Sequence, residues 1–146
     1  MFDSILVANR GEIALRIMRT AQAMGIQTIA IYVDADKDSP HVRFADKAVL
    51  LPDGGYLEID AVLDAAQKSS AGAIHPGYGF LSENAEFAKR INKENIVWVG
   101  PSPKVISVMG DKLKAKELAI KANVPTLPMT SNDKEAKKIG YPLLIK

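Results

Sequence analysis

The sequence predicts an α/β fold in which helices cover both faces of a parallel sheet, and three observations lead to it. Five short apolar runs contain β-branched residues: ILVAN, QTIAIYV, the end of HVRFADKAVLL, AIH and IVWVG. These runs are mostly apolar rather than alternating, which is typical of strands that are buried on both faces. A helical pattern, or enough chain for a helix, separates each run from the next. Together these features indicate a Rossmann-like, doubly wound domain.

The first helix follows the first apolar run, and the sequence marks both of its ends. Asn9 stands three residues before Glu12, which resembles a capping box in which the Asn side chain serves amides of the first turn. The apolar positions then recur at helical spacing, namely Ile13, Ala14, Ile17, Met18 and Ala21, and the charged residues Glu12, Arg16 and Arg19 take the opposite face. Gly25 predicts where the helix ends.

The other helices of this domain are predicted from the same kinds of signal. A polar loop and one predicted helical turn precede the third strand. A helical pattern covers 56–70, with Gly72 as its stop, and another covers 83–94, with Ser82 as the predicted cap.

The pattern changes after Pro103, and we expect a domain boundary there. Two successive helices, broken at Gly110, are followed by an extended segment, a short helix and a new apolar strand at 141–146. The sequence therefore predicts one domain at 1–103, and at 104–146 the linking helices and the first strand of another. Since a protein does not ordinarily end on the last residue of a buried strand, we expect the 146 residues to belong to a longer polypeptide.

Composition excludes several classes of protein. The chain has no cysteine, which excludes a disulfide framework and a cysteine-based metal site. No apolar run approaches the roughly 20 residues of a membrane helix, and the N-terminus lacks the pattern of a signal or transit peptide. We therefore expect a cytoplasmic protein, or a mitochondrial matrix protein whose leader has been removed.

The charge is unevenly distributed. Residues 104–146 hold nine Lys against four acidic residues, whereas residues 1–103 hold ten basic against 13 acidic residues. The lysine-rich end lacks the interleaved Arg and aromatic residues of a nucleic-acid surface, so we expect no nucleic-acid partner. A small anionic ligand is left open.

Three loops that follow strands are the candidate sites, namely NRGE, HPGYGFLSEN and GPSPKV, because ligands of open α/β sheets bind beyond the carboxyl ends of the strands. In HPGYGFLSEN, Gly77 and Gly79 allow backbone conformations that side chains would obstruct. The loop is not a dinucleotide fingerprint, and no Gly-x-x-x-x-Gly-Lys motif occurs. The residues alone leave open whether His75 and Tyr78 bind a ligand or complete the fold, and they assign no metal site and no catalytic group.

Four segments resemble a known family: ILVANRGEIALRIMRTAQAMGI, AIHPGYGFLSENAEFA, VWVGPSPKVISVMGDKLKAKELA and IGYPLLIK. They are similar, in register from Phe2 to Lys146, to the N-terminal part of biotin carboxylase, as found in acetyl-CoA, propionyl-CoA and other acyl-CoA carboxylases and in pyruvate carboxylase. The resemblance implies a Rossmann-like pre-ATP-grasp domain, followed by linker helices and the first strand of an ATP-grasp domain.

The resemblance implies an ATP-dependent ligase, with an acyl-CoA carboxylase alpha chain as the expected parent. Bicarbonate and ATP would form carboxyphosphate, and the carboxyl group would pass to a ureido nitrogen of biotin on a carrier domain. The expected ligands are ATP, Mg²⁺, bicarbonate as substrate and carrier-bound biotin, with the Mg²⁺ ligands and the catalytic residues after residue 146. The implied partners are a biotin carboxyl carrier, a carboxyltransferase subunit and a second copy of the full carboxylase.

The resemblance also carries roles to particular residues. Lys112 and Lys146 match the two family lysines that bind nucleotide phosphate, where ammonium groups would offset the charge of the transferring phosphate. The implied wall of the biotin site consists of Tyr78, His75, Gly77, Gly79 and Arg16. In that wall Tyr78 faces biotin, and His75 buttresses the loop. Arg16 and Arg19 match a helix that contributes to a carboxylase dimer interface.

Two other functions are weighed beside this one. The first is another ATP-grasp ligase of the carbamoyl-phosphate or purine-pathway type, against which HPGYGFLSEN discriminates. The second is a non-catalytic interaction module, which the presence of Lys112 and Lys146 disfavours. In the favoured interpretation the 146 residues alone are expected to be inactive, because most of the ATP-grasp site would lie after them.

Overall fold

A computed structural model describes residues 2–52, 55–130 and 132–143 of the chain. The chain divides into two compact units, Met1–Gly110 and Asp111–Lys146. The domain boundary at 103 stays a prediction.

The first unit is built on a sheet of five parallel strands. The strands are β1 (Ser4–Val7), β2 (Gln27–Tyr32), β3 (Lys47–Leu50), β4 (Ala73–His75) and β5 (Val97–Trp98). Their order across the sheet is β3-β2-β1-β4-β5. The chain therefore winds outward from β1 in one direction and then returns to start the other half at β4. This reversal confirms the predicted doubly wound α/β fold.

Helices cover both faces of this sheet. Successive strand residues point to opposite sides, so apolar strands give the sheet two apolar faces that helices bury. The helices of the first unit are α1 (Gly11–Ala23), α2 (Pro40–Phe44), α3 (Ile59–Ser69), α4 (Ala85–Lys93) and α5 (Pro103–Met109). On one face, Val7 and Ala30 pack with Ala14 and Met18 of α1. The larger cluster contains strand residues of the other face together with residues of α3 and α4: Leu6, Ile29, Ile31, Ile74, Val62, Leu63, Phe87 and Ile91.

Two predicted helix caps are wrong, and each has a physical reason. The N-cap of α1 is Arg10, without a side-chain hydrogen bond, because the Asn9 side chain is turned so that Nδ2 donates to the carbonyls of Pro76 and Tyr78 and Oδ1 accepts from the Arg10 amide. The cap of α4 is Asn84 rather than Ser82: its side chain accepts a 3.0 Å hydrogen bond from the amide of Phe87. The segment 80–83 forms turns that delay the helix until Ala85.

The second unit contains α6 (Lys112–Lys121) and α7 (Asp133–Ile139), as the sequence predicts. Asp111 caps α6 by accepting hydrogen bonds from the amides of Leu113 and Lys114 at 3.0 and 3.1 Å. The predicted strand at 141–146 is not observed at residues 141–143, and its residues 144–146 lie outside the described residues. Among the described helices, none combines the length and the apolar character that crossing a bilayer requires.

Candidate functional site

The topological switch point of the sheet lies between β1 and β4, where the strand order reverses. In open α/β sheets a crevice forms at that point, outside the carboxyl ends of the strands, and ligands bind there. The two loops that flank this crevice are residues 8–10 after β1 and residues 76–84 after β4, which we name the Tyr78 loop. They overlap the NRGE and HPGYGFLSEN segments, so the fold brings two of the three candidate loops together.

The Tyr78 loop has an unusual backbone. Gly77 and Gly79 both have φ of 66°, and Phe80 has φ of 44°. A positive φ is common for glycine but strained for a bulky aromatic residue, and such strain persists only where the surroundings hold it. Tyr78 lies between the two glycines, and 65% of this residue is accessible to solvent. The loop therefore presents an aromatic phenol to solvent at the carboxyl edge of the sheet.

His75 supports the start of this loop. Its Nδ1 accepts a 3.0 Å hydrogen bond from the amide of Gly77, and its carbonyl accepts a 2.8 Å bond from the amide of Ala8. Burial lowers the pKa of the imidazole below its ordinary value, so the neutral form that can accept this bond is favoured. His75 therefore links β1, β4 and the first turn of the Tyr78 loop.

Asn9 makes a second connection between the two loops. Its Nδ2 donates hydrogen bonds to the carbonyls of Pro76 at 2.9 Å and Tyr78 at 2.7 Å, and its Oδ1 accepts one from the amide of Arg10 at 2.9 Å. Both amide hydrogens are used, and the residue is buried. The Asn9 side chain also lies against Gly77, because a Cβ atom added at Gly77 would stand 2.8 Å from Nδ2.

A polar chain continues from Arg10 to Tyr56, which contacts Phe80 in the middle of the Tyr78 loop. The guanidinium of Arg10 donates to Asp36 Oδ1 at 2.9 Å, and the Tyr56 hydroxyl donates to Asp36 Oδ2 at 2.8 Å. The ring of Tyr56 stacks on Phe80, with centroids 5.3 Å apart and planes 13° from parallel. The strained backbone of Phe80 is thus held by a ring that a buried carboxylate anchors.

His41 lies in the core beside this polar chain. Its Nδ1 accepts a hydrogen bond from the amide of Gly11 at 3.3 Å, and its Nε2 lies 3.4 Å from the carbonyl of Ile31, which assigns the proton to Nε2. Burial lowers the pKa of His41 and outweighs the Ile31 bond and the nearby Asp36 carboxylate, which both raise it. His41 is therefore neutral in the folded chain and holds the first turn of α1.

Because both histidines have lowered pKa values when folded, we expect acid to destabilise the chain. The unfolded chain binds more protons once the pH falls below about 6.5, so the free energy of unfolding should decrease from there downward. Urea unfolding at a series of pH values between 7.5 and 5 should show this decrease, and His41→Gln should flatten it. Asp46, whose pKa is lowered chiefly by hydrogen bonds from Thr28, acts only at more acidic pH. An unchanged slope in the His41→Gln variant would contradict the assignment.

The other predicted site residues lie elsewhere in the chain. Arg16 and Arg19 lie on the exposed face of α1, and Lys112 is the exposed first residue of α6 in the second unit. Lys146 lies outside the described residues. Their predicted roles are not tested by this geometry. Within 2–52, 55–130 and 132–143, no group of three or more His, Asp or Glu side chains is placed to hold a metal ion.

Sequence reasoning missed several residues that organise the site. Arg10, Asp36, His41 and Tyr56 all follow strands β1, β2 or β3 in the chain, and their side chains meet at the carboxyl edge of the sheet. The available signal was position: polar residues just after buried strands gather at that edge. Which of Asp34, Asp36 and Asp38 turns inward could not be read from the DADKD loop itself.

Comparisons with known proteins agree with this architecture. The family described as biotin carboxylase, N-terminal domain, matches residues 1–106. Biotin carboxylase 2 of Bacillus subtilis is 46% identical over an alignment that covers 100% of this chain and 36% of that protein. The mitochondrial propionyl-CoA carboxylase alpha chain of Homo sapiens is 48% identical, with 99% of this chain and 22% of that protein covered.

A solved structure shows the same fold. The biotin carboxylase domain dimer of Hydrogenobacter thermophilus 2-oxoglutarate carboxylase, in complex with MgADP, ADP and bicarbonate, superimposes with a TM-score of 0.88 at 44% identity. The match covers 97% of this chain and 34% of that chain. The chain thus spans between about a fifth and a third of the length of these three relatives. Its family match extends over most of its length, and the chain belongs to the biotin carboxylase N-terminal domain family.

Proposed function

We propose that this chain forms one wall of the site in which a biotin carboxylase transfers a carboxyl group to biotin. The observation that carries the proposal is the Tyr78 loop: an exposed phenol flanked by two glycines, held at the switch point of the sheet. Family membership supplies the reaction class, an ATP- and bicarbonate-dependent carboxylation of biotin. The alternatives of another ATP-grasp ligase and of a non-catalytic module have no support among the relatives described above.

The loop fits a ligand that approaches the backbone closely. A Cβ atom added at Gly79 would meet nothing within 4 Å, so the space beside this residue is open. Backbone without side chains lets flat polar groups come within hydrogen-bond distance, and the neighbouring Tyr78 offers a ring face and a hydroxyl. A ureido ring with a carbonyl and two N–H groups is matched to such a surface.

The phosphate-binding role of the chain rests on lysines of the second unit. Lys112 is exposed at the start of α6, and in this proposal its ammonium group and that of Lys146 contact the phosphates of ATP. Positive charge placed there would stabilise the negative charge that develops on the transferring phosphoryl group. We place the Mg²⁺ ligands and the groups that handle bicarbonate in a part of the enzyme beyond these residues.

The proteins that the chain resembles support a proposal for the assembly in which it works. Those relatives include the alpha chain of a propionyl-CoA carboxylase and a biotin carboxylase domain dimer. We therefore propose a longer carboxylase that pairs with a second copy through the helix of Arg16 and Arg19, and that meets a biotin carrier and a carboxyltransferase. A cytoplasmic or mitochondrial matrix location suits these partners.

A chimera tests the proposal directly. The 146 residues replace the matching segment of the B. subtilis biotin carboxylase 2, and ATP cleavage is measured with bicarbonate and free biotin. We expect cleavage that depends on both substrates, whereas the isolated chain should show none. A chimera that folds and binds ATP but never responds to biotin would contradict the proposed role of the wall.

Lys112→Met in this chimera should raise the KM for ATP by about tenfold or more, since a hydrogen bond between charged partners contributes roughly 1.5 to 3 kcal/mol. Lys121→Met is the matched control, because it removes an exposed lysine from the last turn of the same helix. Equal effects of the two substitutions would argue against a phosphate contact at Lys112. Steady-state kinetics with ATP as the varied substrate provide the measurement.

A further inference from the structure

The position of Tyr78 depends on residues outside its own loop. The loop has few internal backbone bonds in its first half, which is where the two glycines and Phe80 depart from ordinary backbone angles. A segment with such angles does not hold its shape by propensity alone, so its surroundings must fix it. The contacts that do so come from the loop after β1 and from the segments after β2 and β3.

We propose that Asn9 is a positioning residue for Tyr78, assisted at Phe80 by the stack on Tyr56. Asn9 holds the carbonyls on both sides of Gly77 with one amide group, at 2.9 and 2.7 Å. One of these carbonyls belongs to Tyr78 itself. The side chain that would face biotin is thus fixed through its own backbone by a buried group that does not touch the ligand.

Phe80 is held independently. Its ring stacks on Tyr56, whose hydroxyl donates to Asp36, and Asp36 in turn accepts from Arg10, the neighbour of Asn9. The two restraints therefore begin at adjacent residues of the loop after β1 and end on either side of Gly79. They leave the side chain of Tyr78 exposed while fixing the backbone that carries it.

This inference goes beyond the proposed function but rests on it for the contact between Tyr78 and biotin. A wall residue that is misplaced by about 1 Å can reduce a reaction by up to about a hundredfold. Asn9 would therefore control how well biotin is accepted without contacting it. ATP, whose proposed contacts lie in the second unit, should be unaffected by the change.

Asn9→Asp is the informative substitution, because it keeps the shape of the side chain and replaces both donor hydrogens by an acceptor that faces two carbonyl oxygens. In the chimera we expect kcat/KM for free biotin to fall by about tenfold to a hundredfold, with the KM for ATP unchanged. In the 146-residue chain, the amides of Gly77 and Ser82 should exchange hydrogen faster, while the strand amides of β1 and β4 keep their protection.

Asn84→Asp provides the matched control. It introduces the same charge at the end of the same loop, but an aspartate caps α4 as well as an asparagine does, so both readouts should stay at the level of the unmodified chain. Phe80→Leu, a partly exposed position, provides a second variant that acts through the stack on Tyr56 and should give the same loss for biotin and none for ATP.

The outcomes separate the inference from the function on which it rests. If the unmodified chimera does not respond to biotin, the proposed function fails, and hydrogen exchange alone then decides whether Asn9 positions the loop. Unchanged exchange at Gly77 and Ser82 in the Asn9→Asp chain would overturn the positioning role. So would a kinetic loss that falls equally on ATP and biotin, or one that Asn84→Asp reproduces.

Discussion

Replacing Asp36 by Ala should lower the free energy of unfolding by about 2 to 3 kcal/mol, because a charged acceptor of two hydrogen bonds is lost. The carboxylate accepts from Tyr56 and from Arg10, and its side chain is only 8% exposed. Tyr56 is itself buried, so its hydroxyl would lose the acceptor to which it donates. The Arg10 side chain is 52% exposed and can turn to water, so most of the effect arises on the Tyr56 side.

Asp38→Ala is the control for this measurement. Asp38 lies two residues further along the same loop and pairs with Arg43 at 3.5 Å, but both side chains are exposed, at 76% and 70%. An exposed pair of this kind contributes little, so the variant should stay within about 0.5 kcal/mol of the unmodified chain. Urea unfolding with a shared slope compares the two variants. If Asp36→Ala proves as mild as Asp38→Ala, the polar chain to Phe80 does not stabilise the fold.

A double substitution would show how much of this loss of stability comes from the hydrogen bond between Tyr56 and Asp36. Tyr56→Phe removes the other partner of the buried bond, so the combination with Asp36→Ala should cost clearly less than the sum of the two single effects. The same variants also report on the site, because Tyr56 holds Phe80 through ring stacking. Stability and loop position are thus linked through one carboxylate.

The sheet could be predicted from the sequence because its central strands are buried on both faces and therefore appear as uninterrupted apolar runs. The two runs that form edge strands illustrate the limit of this signal. β3 is largely exposed, and β5 has only two residues, Val97 and Trp98, although both runs look as apolar as the central ones. Burial of a run depends on what lies beside it, which the run itself does not report.

The two predicted N-cap residues were wrong for a related reason. Asn9 has the spacing of a capping residue, but its amide binds carbonyls that lie 67 and 69 residues further along the chain. A local sequence pattern reports only the hydrogen-bond partners within one helical turn. In the folded chain the Asn9 side chain donates instead to carbonyls that are distant in the sequence. Asn84, in contrast, has only a local partner, yet the turn at 80–83 moved the start of its helix.

The site was predictable to the level of its loops and its family. The Tyr78 loop and the loop after β1 were selected by position, and the family resemblance is confirmed. The contacts between them were not predictable, because which polar side chains turn inward depends on the assembled edge. The roles of Lys112, Lys146, Arg16 and Arg19 stay predictions.

Gly77→Ala should lower the free energy of unfolding by about 3 kcal/mol, since two separate costs add at this position. The residue has φ of 66°, a conformation that costs a residue with a Cβ atom about 1 to 2 kcal/mol. The new methyl group would also stand 2.8 Å from Asn9 Nδ2 and 3.1 Å from its Cγ. Asn9 is buried and uses both amide hydrogens, so it cannot move aside without breaking its bonds to the loop.

Gly79→Ala separates the two costs, because the two glycines share the same φ but not the same surroundings. At Gly79 an added methyl group meets no atom within 4 Å, so only the backbone cost of about 1 to 2 kcal/mol should appear. The difference between the variants in urea unfolding therefore measures how firmly Asn9 is held against the loop. Equal losses would mean that Asn9 yields easily, and a side chain that yields easily could not fix the position of Tyr78.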